Sequence, residues 1–262
     1  MAEFIKDLPR IYGIFDTHSH YDDRRFDEMR DDLLNYLFEN GLDGIITCGC
    51  DIPSSKKAIE LASNYNKMYA AVGFHPTNIP EFEPDLQELR ELLKHEKVVA
   101  LGEIGLDYHW DTPKDLQKKW FLAQLDLATE LDVPVILHDR EAHGDMFDVI
   151  SNYRIKGVMH CYSGSSEMAK QLVDMGLYIG VGGVVTFKNG RKLQEVVAML
   201  PHDRILLETD CPYLAPEPFR SKTCHSGLIA FTAKKIAEIR NESVEEVISY
   251  TNENAKRLFN IK

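Results

Sequence analysis

Long apolar runs, paired cysteines, a glycine-rich phosphate loop and an excess of basic residues are all missing from this chain. No hydrophobic stretch approaches the roughly 18 residues of a membrane span, so no membrane association is expected. The first ten residues, MAEFIKDLPR, have neither a basic leader nor an apolar core, which argues against a signal peptide. Five cysteines (48, 50, 161, 211 and 224) form an odd set without CxxC spacing. Free thiols in a reducing compartment are their simplest reading, and a cytoplasmic location is the expectation. Cys48-Gly49-Cys50 has the alternative reading of a soft-metal clip, which a lone CxC supports only weakly. Thirty basic residues against 42 acidic ones leave a formal net charge of −12. A field of that sign repels DNA and RNA at long range and excludes a broad basic surface for non-specific binding. Any contact with nucleic acid has to be local and helped by bound cations.

What is present is a regular alternation. Short β-branched runs are expected as strands at Ile11–Phe15, Gly44–Cys48, Met68–Val72, Val98–Leu101, Val133–Leu137, Gly157–Met159, Leu177–Gly180 and Arg204–Leu207. Between them lie segments with apolar residues at three-to-four spacing, such as FDEMRDDLLNYLFEN (26–40) and DLQKKWFLAQLDLATE (115–130). Asn40-Gly41 is a helix-stop signal after the first. Thr112 followed by Pro113 offers an N-cap and first-turn proline for the second. Two more helices, SGLIAFTAKKIAEIR (226–240) and SVEEVISYTNENAKRLFN (243–260), follow the last strand. Eight strand–helix units in 262 residues predict a TIM-like (β/α)8 barrel forming a single domain. An open doubly wound sheet is the rival, but where such a fold carries its glycine-rich loop this chain has histidines. No internal repeat, low-complexity tract or linker divides it.

Polar residues recur where the strands end. The first strand runs into FDTHSH, giving His18 and His20, two apart and so on one side of a strand, with Asp16 on the same parity. His75 follows the third strand, Glu103 the fourth, His138 the fifth, His160 the sixth and Asp210 the eighth. One such residue is incidental polarity at a strand mouth. Five or six strands ending this way point to the C-terminal face, where barrel enzymes assemble their sites. Four histidines and two carboxylates outnumber the ligands of one tetrahedral zinc. Two divalent ions sharing a carboxylate, roughly 3.5–4 Å apart, fit the count better.

The chain resembles the TatD family of metal-dependent deoxyribonucleases, within the amidohydrolase superfamily. The matching stretches are DTHSHYD (16–22), VGFHP (72–76), GEIGLDY (102–108), PVILHDRE (134–141), GVMHCYSG (157–164), GGVVTFKN (182–189) and ETDCPYLAP (208–216). They span nearly the whole length in family order. The resemblance implies a TIM-like barrel in which His18 and His20 hold one metal completed by Glu103 and Asp210. Glu103 then bridges to a second metal held by His138 and His160. The superfamily's carboxylated lysine on strand four is absent, and Glu103 stands in its place.

On this reading two divalent ions (Mg2+, Mn2+ or Zn2+) activate water, Asp210 orients it and accepts its proton, and Glu103 fixes the ions. His75 is read as a donor to phosphate or an orienting partner for a ligand, with a plain loop histidine beside Pro76 as the alternative. Arg140 binds phosphate or holds a carboxylate. Tyr108 and His109 stack a terminal base or pack the barrel mouth. Lys188 and Arg220 read as solvated charges or backbone contacts, and Cys50, Cys161 and Cys211 as small buried residues rather than ligands. The expected activity is 3′→5′ exonuclease action on single-stranded DNA ends, with no obligate protein partner. Alternatives are hydrolysis of another ester or amide, such as D-aminoacyl-tRNA, and a non-catalytic metal-stabilised binding protein. One loop departs from the family: RSKTCHS (220–226) replaces the common RGKRNEP and is expected to overhang the site, with His225 near the next helix's start.

Overall fold

The computed structural model describes residues 12–81 and 83–262. Eight parallel strands follow one another around one sheet in sequence order. They are β1 (Phe15–Ser19), β2 (Gly44–Cys48), β3 (Met68–Val72), β4 (Val98–Asp107), β5 (Val135–Arg140), β6 (Gly157–Met159), β7 (Tyr178–Val181) and β8 (Ile205–Leu207). The connecting helices are α1 (Arg30–Glu39), α2 (Ile52–Ser63), α3 (Gln87–Leu92), α4 (Lys114–Leu131), α5 (His143–Ile150), α6 (Ser166–Asp174) and α7 (Arg191–Met199). Two more, α8 (Ile229–Arg240) and α9 (Val244–Leu258), follow β8. The ring closes where β8 meets β1. There Ser19 bridges Cys211, the His20 N–H donates to the Cys211 carbonyl at 2.8 Å, and the Thr17 hydroxyl donates to the Leu207 carbonyl at 3.0 Å. This is the expected TIM-like (β/α)8 barrel.

Side-chain parity explains the layers. An inner cluster takes residues from every strand: Phe15, Ile46 with Cys48, Ala71, Ala100, Ile136, Val158, Tyr178 and Leu206. Their neighbours in sequence, among them Ile45, Ala70, Leu101, Val135, Leu137, Met159, Ile179 and Leu207, belong to the outer cluster shared with the helices. Strands buried on both faces read as continuous apolar runs, which is why they were legible. Ala255, Leu258 and Phe259, from α9 and just beyond it, join the inner cluster and plug its N-terminal end. At roughly 1.5–3 kcal/mol for each large apolar side chain fully buried, that plug anchors the last helix firmly.

Four expected boundaries move, and in the fifth strand the change is from Val133–Leu137 to Val135–Arg140, which takes His138 into the strand. The start of the first strand at Ile11 lies outside the described residues, and β1 itself runs on through His18. β4 does not stop at Leu101 but continues to Asp107. Helix α4 begins at Lys114, with Pro113 in extended backbone at the cap and no side-chain cap bond, so Thr112 is not the N-cap. Instead the Thr112 carbonyl accepts from the Gln117 amide at 2.9 Å. Phe26 falls in a 3-10 turn ahead of α1, while Gly41, at φ +97°, ends that helix as its sequence signal implies.

Asp43 ties α9 to the bottom of the barrel. It accepts from Lys256 at 2.6 Å, Asn252 at 2.9 Å and Lys67 at 3.1 Å. Partial burial alone would raise its pKa, but these donors more than reverse that and hold it at about 2. A depressed carboxylate pKa contributes stability that is complete above the unfolded value and is lost as pH falls through the folded one. Asp43→Asn should therefore lower Tm at pH 7. It should also flatten the loss of Tm between about pH 4 and pH 2 relative to the parent, as followed by circular dichroism.

Candidate metal centre

The site lies at the C-terminal mouth, and the strands deliver its residues in two ways. On β3, β5, β6 and β8 the inward parity simply continues, from Ala71 to His75, Ile136 to His138, Val158 to His160, and Leu206 to Glu208 and Asp210. β1 and β4 need a correction. With Phe15 and Ala100 inward, unbroken alternation would send His18 and Glu103 to the helix side. The pairing register shifts between Asp16 and Ser19 in β1, and between Leu101 and Ile104 in β4. Such irregularities re-aim side chains at sites, and both here turn a polar residue into the mouth. Gly105, at φ +148°, passes so close to the His138 carbonyl that a Cβ would strike it.

Glu103 is the centre of the cluster. One oxygen, Oε1, lies 2.6 Å from His138 Nδ1, 3.1 Å from His160 Nε2 and 3.7 Å from His75 Nε2. The other, Oε2, lies 3.4 Å from His18 Nε2 and 3.6 Å from His20 Nε2. Asp210 Oδ1 is 3.6 Å and 3.4 Å from the same two nitrogens, which are 3.1 Å from each other. These donors fit a cation: ligands about 2.05 Å from one ion in a tetrahedron stand roughly 3.3 Å apart. Five separations among His18, His20, Glu103 and Asp210 fall between 3.1 and 3.6 Å. The ring orientation suits this as well, because His20 Nδ1 donates to the Cys48 carbonyl at 3.0 Å, which makes Nε2 the nitrogen that faces the cluster.

The charges reinforce the picture. Burial pushes Glu103 upward, but the imidazoles around it, His160 first and His138 with it, hold its carboxyl well below the usual range. Burial would likewise deprotonate His138, yet Glu103 and Asp107 raise it to about 9. His75 follows burial and falls to about 3, so it is neutral. Asp210 stays a carboxylate, since His20, His160 and His18 outweigh its desolvation. Its side chain is 21% exposed against 4% for Glu103, which makes it the carboxylate that water reaches.

Several supporting residues escaped the sequence reading. Asp107 Oδ2 accepts from His138 Nε2 at 3.0 Å and so fixes that ring. Its signal was present, because 103 and 107 share a parity once β4 is recognised as running that far. Glu208 accepts from the Cys161 N–H at 2.5 Å and lies 3.5 Å from His160 Nδ1. Cys50 did not escape: expected as a small buried residue rather than a ligand, it is only partly buried and groups with His20 and Glu103, with ligand atoms within 4.8 Å of one another. Asp16 shares parity with His18 but does not join the cluster. Its oxygens accept from the Thr209 hydroxyl at 2.8 Å, the Ser226 hydroxyl at 2.7 Å and the Thr209 N–H at 3.1 Å, sewing β1 to the segment after β8.

The remaining expected residues separate. Tyr108 donates to Asp145 at 2.5 Å and carries the Lys114 ammonium 4.2 Å from its ring, so its contacts are those of packing at the mouth. Arg140 makes no ion pair with a carboxylate among the described residues, and its guanidinium lies 6.0 Å from the Trp110 ring. The Arg220 guanidinium lies 3.7 Å from the Phe187 ring. The divergent loop overhangs only in part: residues 220–222 are exposed, while Cys224, His225 and Ser226 turn inward and are buried. His225 opens the 3-10 turn ahead of α8.

The family model described as TatD related DNase matches residues 15–260. The chain belongs to the TatD-related DNase family. It is 43% identical over 253 residues to the "uncharacterized metal-dependent hydrolase YabD" of Bacillus subtilis, covering 95% of this chain and 99% of that protein. The "3'-5' ssDNA/RNA exonuclease TatD" of Escherichia fergusonii is 31% identical over 259 residues, covering 95% of this chain and 99% of its own. Among solved structures, the TatD homologue YjjV of Escherichia coli superposes with a TM-score of 0.88 at 32% identity, covering 96% of this chain and all of that one.

Among the described residues, three of the four candidate donor groups of this family member include Glu103, and the fourth shares His18 and His20 with them, so Glu103→Ala should strip metal from the whole centre. Metal content after equilibration with Zn2+ or Mn2+ and desalting, measured by plasma emission, should fall to background. Asp107→Ala, which only frees the His138 ring, should instead weaken binding about 10- to 100-fold.

Proposed function

We propose that this metal-dependent hydrolase of the TatD-related family is a 3′→5′ exonuclease on single-stranded DNA ends, the whole chain acting as one domain. The observation that carries the reading is the sharing of Glu103 between two donor groups. His18 and His20, with Asp210 beside them, lie toward one of its oxygens and His138, His160 and His75 toward the other. That division supports two divalent cations, Mg2+, Mn2+ or Zn2+, with His18, His20, Glu103 and Asp210 holding one and Glu103, His138 and His160 the other. When bound, such a pair supplies a water of lowered pKa and positive charge beside the non-bridging phosphate oxygens.

The chain's own residues do the rest. Asp210, ionised and reachable by water, orients the nucleophile and takes its proton. Glu103, dry and surrounded by imidazoles, keeps the two donor groups at a fixed separation. Neutral His75, whose Nε2 faces the centre, donates to a phosphate oxygen. Arg140, which makes no ion pair with a carboxylate among the described residues, pairs with the next phosphate. Tyr108 supports the wall through Asp145. The name of the Escherichia fergusonii relative supports the choice of a nucleic-acid substrate. Among the described residues no helix is long and apolar enough to cross a membrane, and all five cysteines are free thiols, which supports a cytoplasmic setting.

Digestion of a 5′-labelled single-stranded oligonucleotide tests the reading. With Mg2+, Mn2+ or Zn2+ a ladder should shorten from the 3′ end, and EDTA or Glu103→Ala should abolish it. Asp210→Asn should lower kcat by roughly 10²–10⁴-fold while metal stays bound. No cleavage by the metal-loaded protein would overturn the nuclease assignment and leave hydrolysis of another ester or amide.

A further inference from the structure

Two large aromatic rings stand exposed on the C-terminal side of the barrel, and nothing in the hydrolytic centre uses them. Trp110, 57% exposed, follows β4, and Tyr213, 48% exposed, follows β8. With eight strands in sequential order around the ring, β4 and β8 are four positions apart. The two rings therefore stand on opposite walls of the mouth, with Glu103 and its histidines between them.

Each ring is fixed in place. The Arg25 guanidinium lies 4.1 Å from the Tyr213 ring centre and is itself clamped by Asp23, through Nε at 3.0 Å and Nη2 at 3.0 Å. The Arg140 guanidinium lies 6.0 Å from the Trp110 ring centre. His109 packs edge-on to Trp110 at 5.1 Å and is held by Glu141 at 3.0 Å. A ring braced by neighbours yet about half in water still offers surface for stacking.

We propose that Trp110 and Tyr213 are paired base-stacking platforms that hold an unpaired strand across the centre, one base on each wall, with Arg140 beside Trp110 for a flanking phosphate. This rests on the nuclease reading and deepens it. The charge of the chain gives the device its purpose. A net charge of −12 excludes capture by a broad basic surface, whereas stacking on an aromatic face is indifferent to that field and to sequence. It also selects single strands, because bases in a duplex already spend their faces on each other.

Tryptophan emission reads the contact directly. The chain has two tryptophans, and Trp120 is 1% exposed, so a ligand-induced change reports Trp110. The probe is a dye-labelled phosphorothioate oligothymidylate, which resists hydrolysis, added to the Mn2+-loaded protein. Saturable quenching is expected, with binding confirmed by anisotropy of the dye. Trp110→Leu should remove the quench and weaken binding at least fivefold, and Tyr213→Leu should weaken it similarly while the quench amplitude remains. Trp110→Phe should restore most of the affinity. An oligonucleotide that binds without quenching, or that binds both leucine variants as tightly as the parent, overturns the proposal. Hydrolysis of an ordinary phosphodiester oligonucleotide, run in parallel, separates the two readings. Quenching without hydrolysis retains the platforms and retires the nuclease. Hydrolysis without quenching does the reverse, and absence of both binding and hydrolysis overturns both.

Discussion

A single buried carboxylate, Glu103, surrounded by imidazoles, is the constraint on which the rest of this molecule depends. An isolated ionised carboxylate in an apolar interior costs far more than any hydrogen bond returns. Here His138 on β5 and His160 just past β6 offset that cost only while each stays within a few ångströms. A barrel suits the task because eight short strands converge on one mouth, each fixed by its two neighbours.

The two register shifts show how the fold meets that demand. A strict period-two strand cannot keep Phe15 in the barrel interior and also aim His18 at the mouth, nor can it do so for Ala100 and Glu103. Slipping the register by one residue in β1 and in β4 satisfies both the apolar layer below and the polar layer above. Asp16 shows what such a slip leaves behind. It sits deep against Thr209 and Ser226 with its oxygens filled, joining the first and last strands where the ring closes.

Charge and shape divide the remaining labour. The overall field is repulsive to a polyanion. On the nuclease proposal, recognition away from the centre falls to groups whose attraction does not depend on net charge, which is the role open to the aromatic walls. The loop at 220–226 belongs to the same division: its exposed half faces the rim, and its buried half continues the Asp16–Ser226–Tyr21 network inside.

By itself the sequence determined the barrel and most of the centre, for physical reasons that can be stated. Strands covered on both faces must be apolar throughout, so five of the eight strands were legible to within two residues of either end. A polar residue just past such a strand has few places to point except the mouth, which exposed His75, His138, His160 and Asp210. Tertiary structure alone decided the rest. Whether β4 stops at Leu101 or runs to Asp107 depends on its pairing with β5, and with that pairing came Asp107 as the partner of His138. Glu208 acquired its role only when its carboxylate met His160 across two strands. Trp110 and Tyr213, 103 residues apart in the chain, became a pair only because a closed ring sets β4 opposite β8.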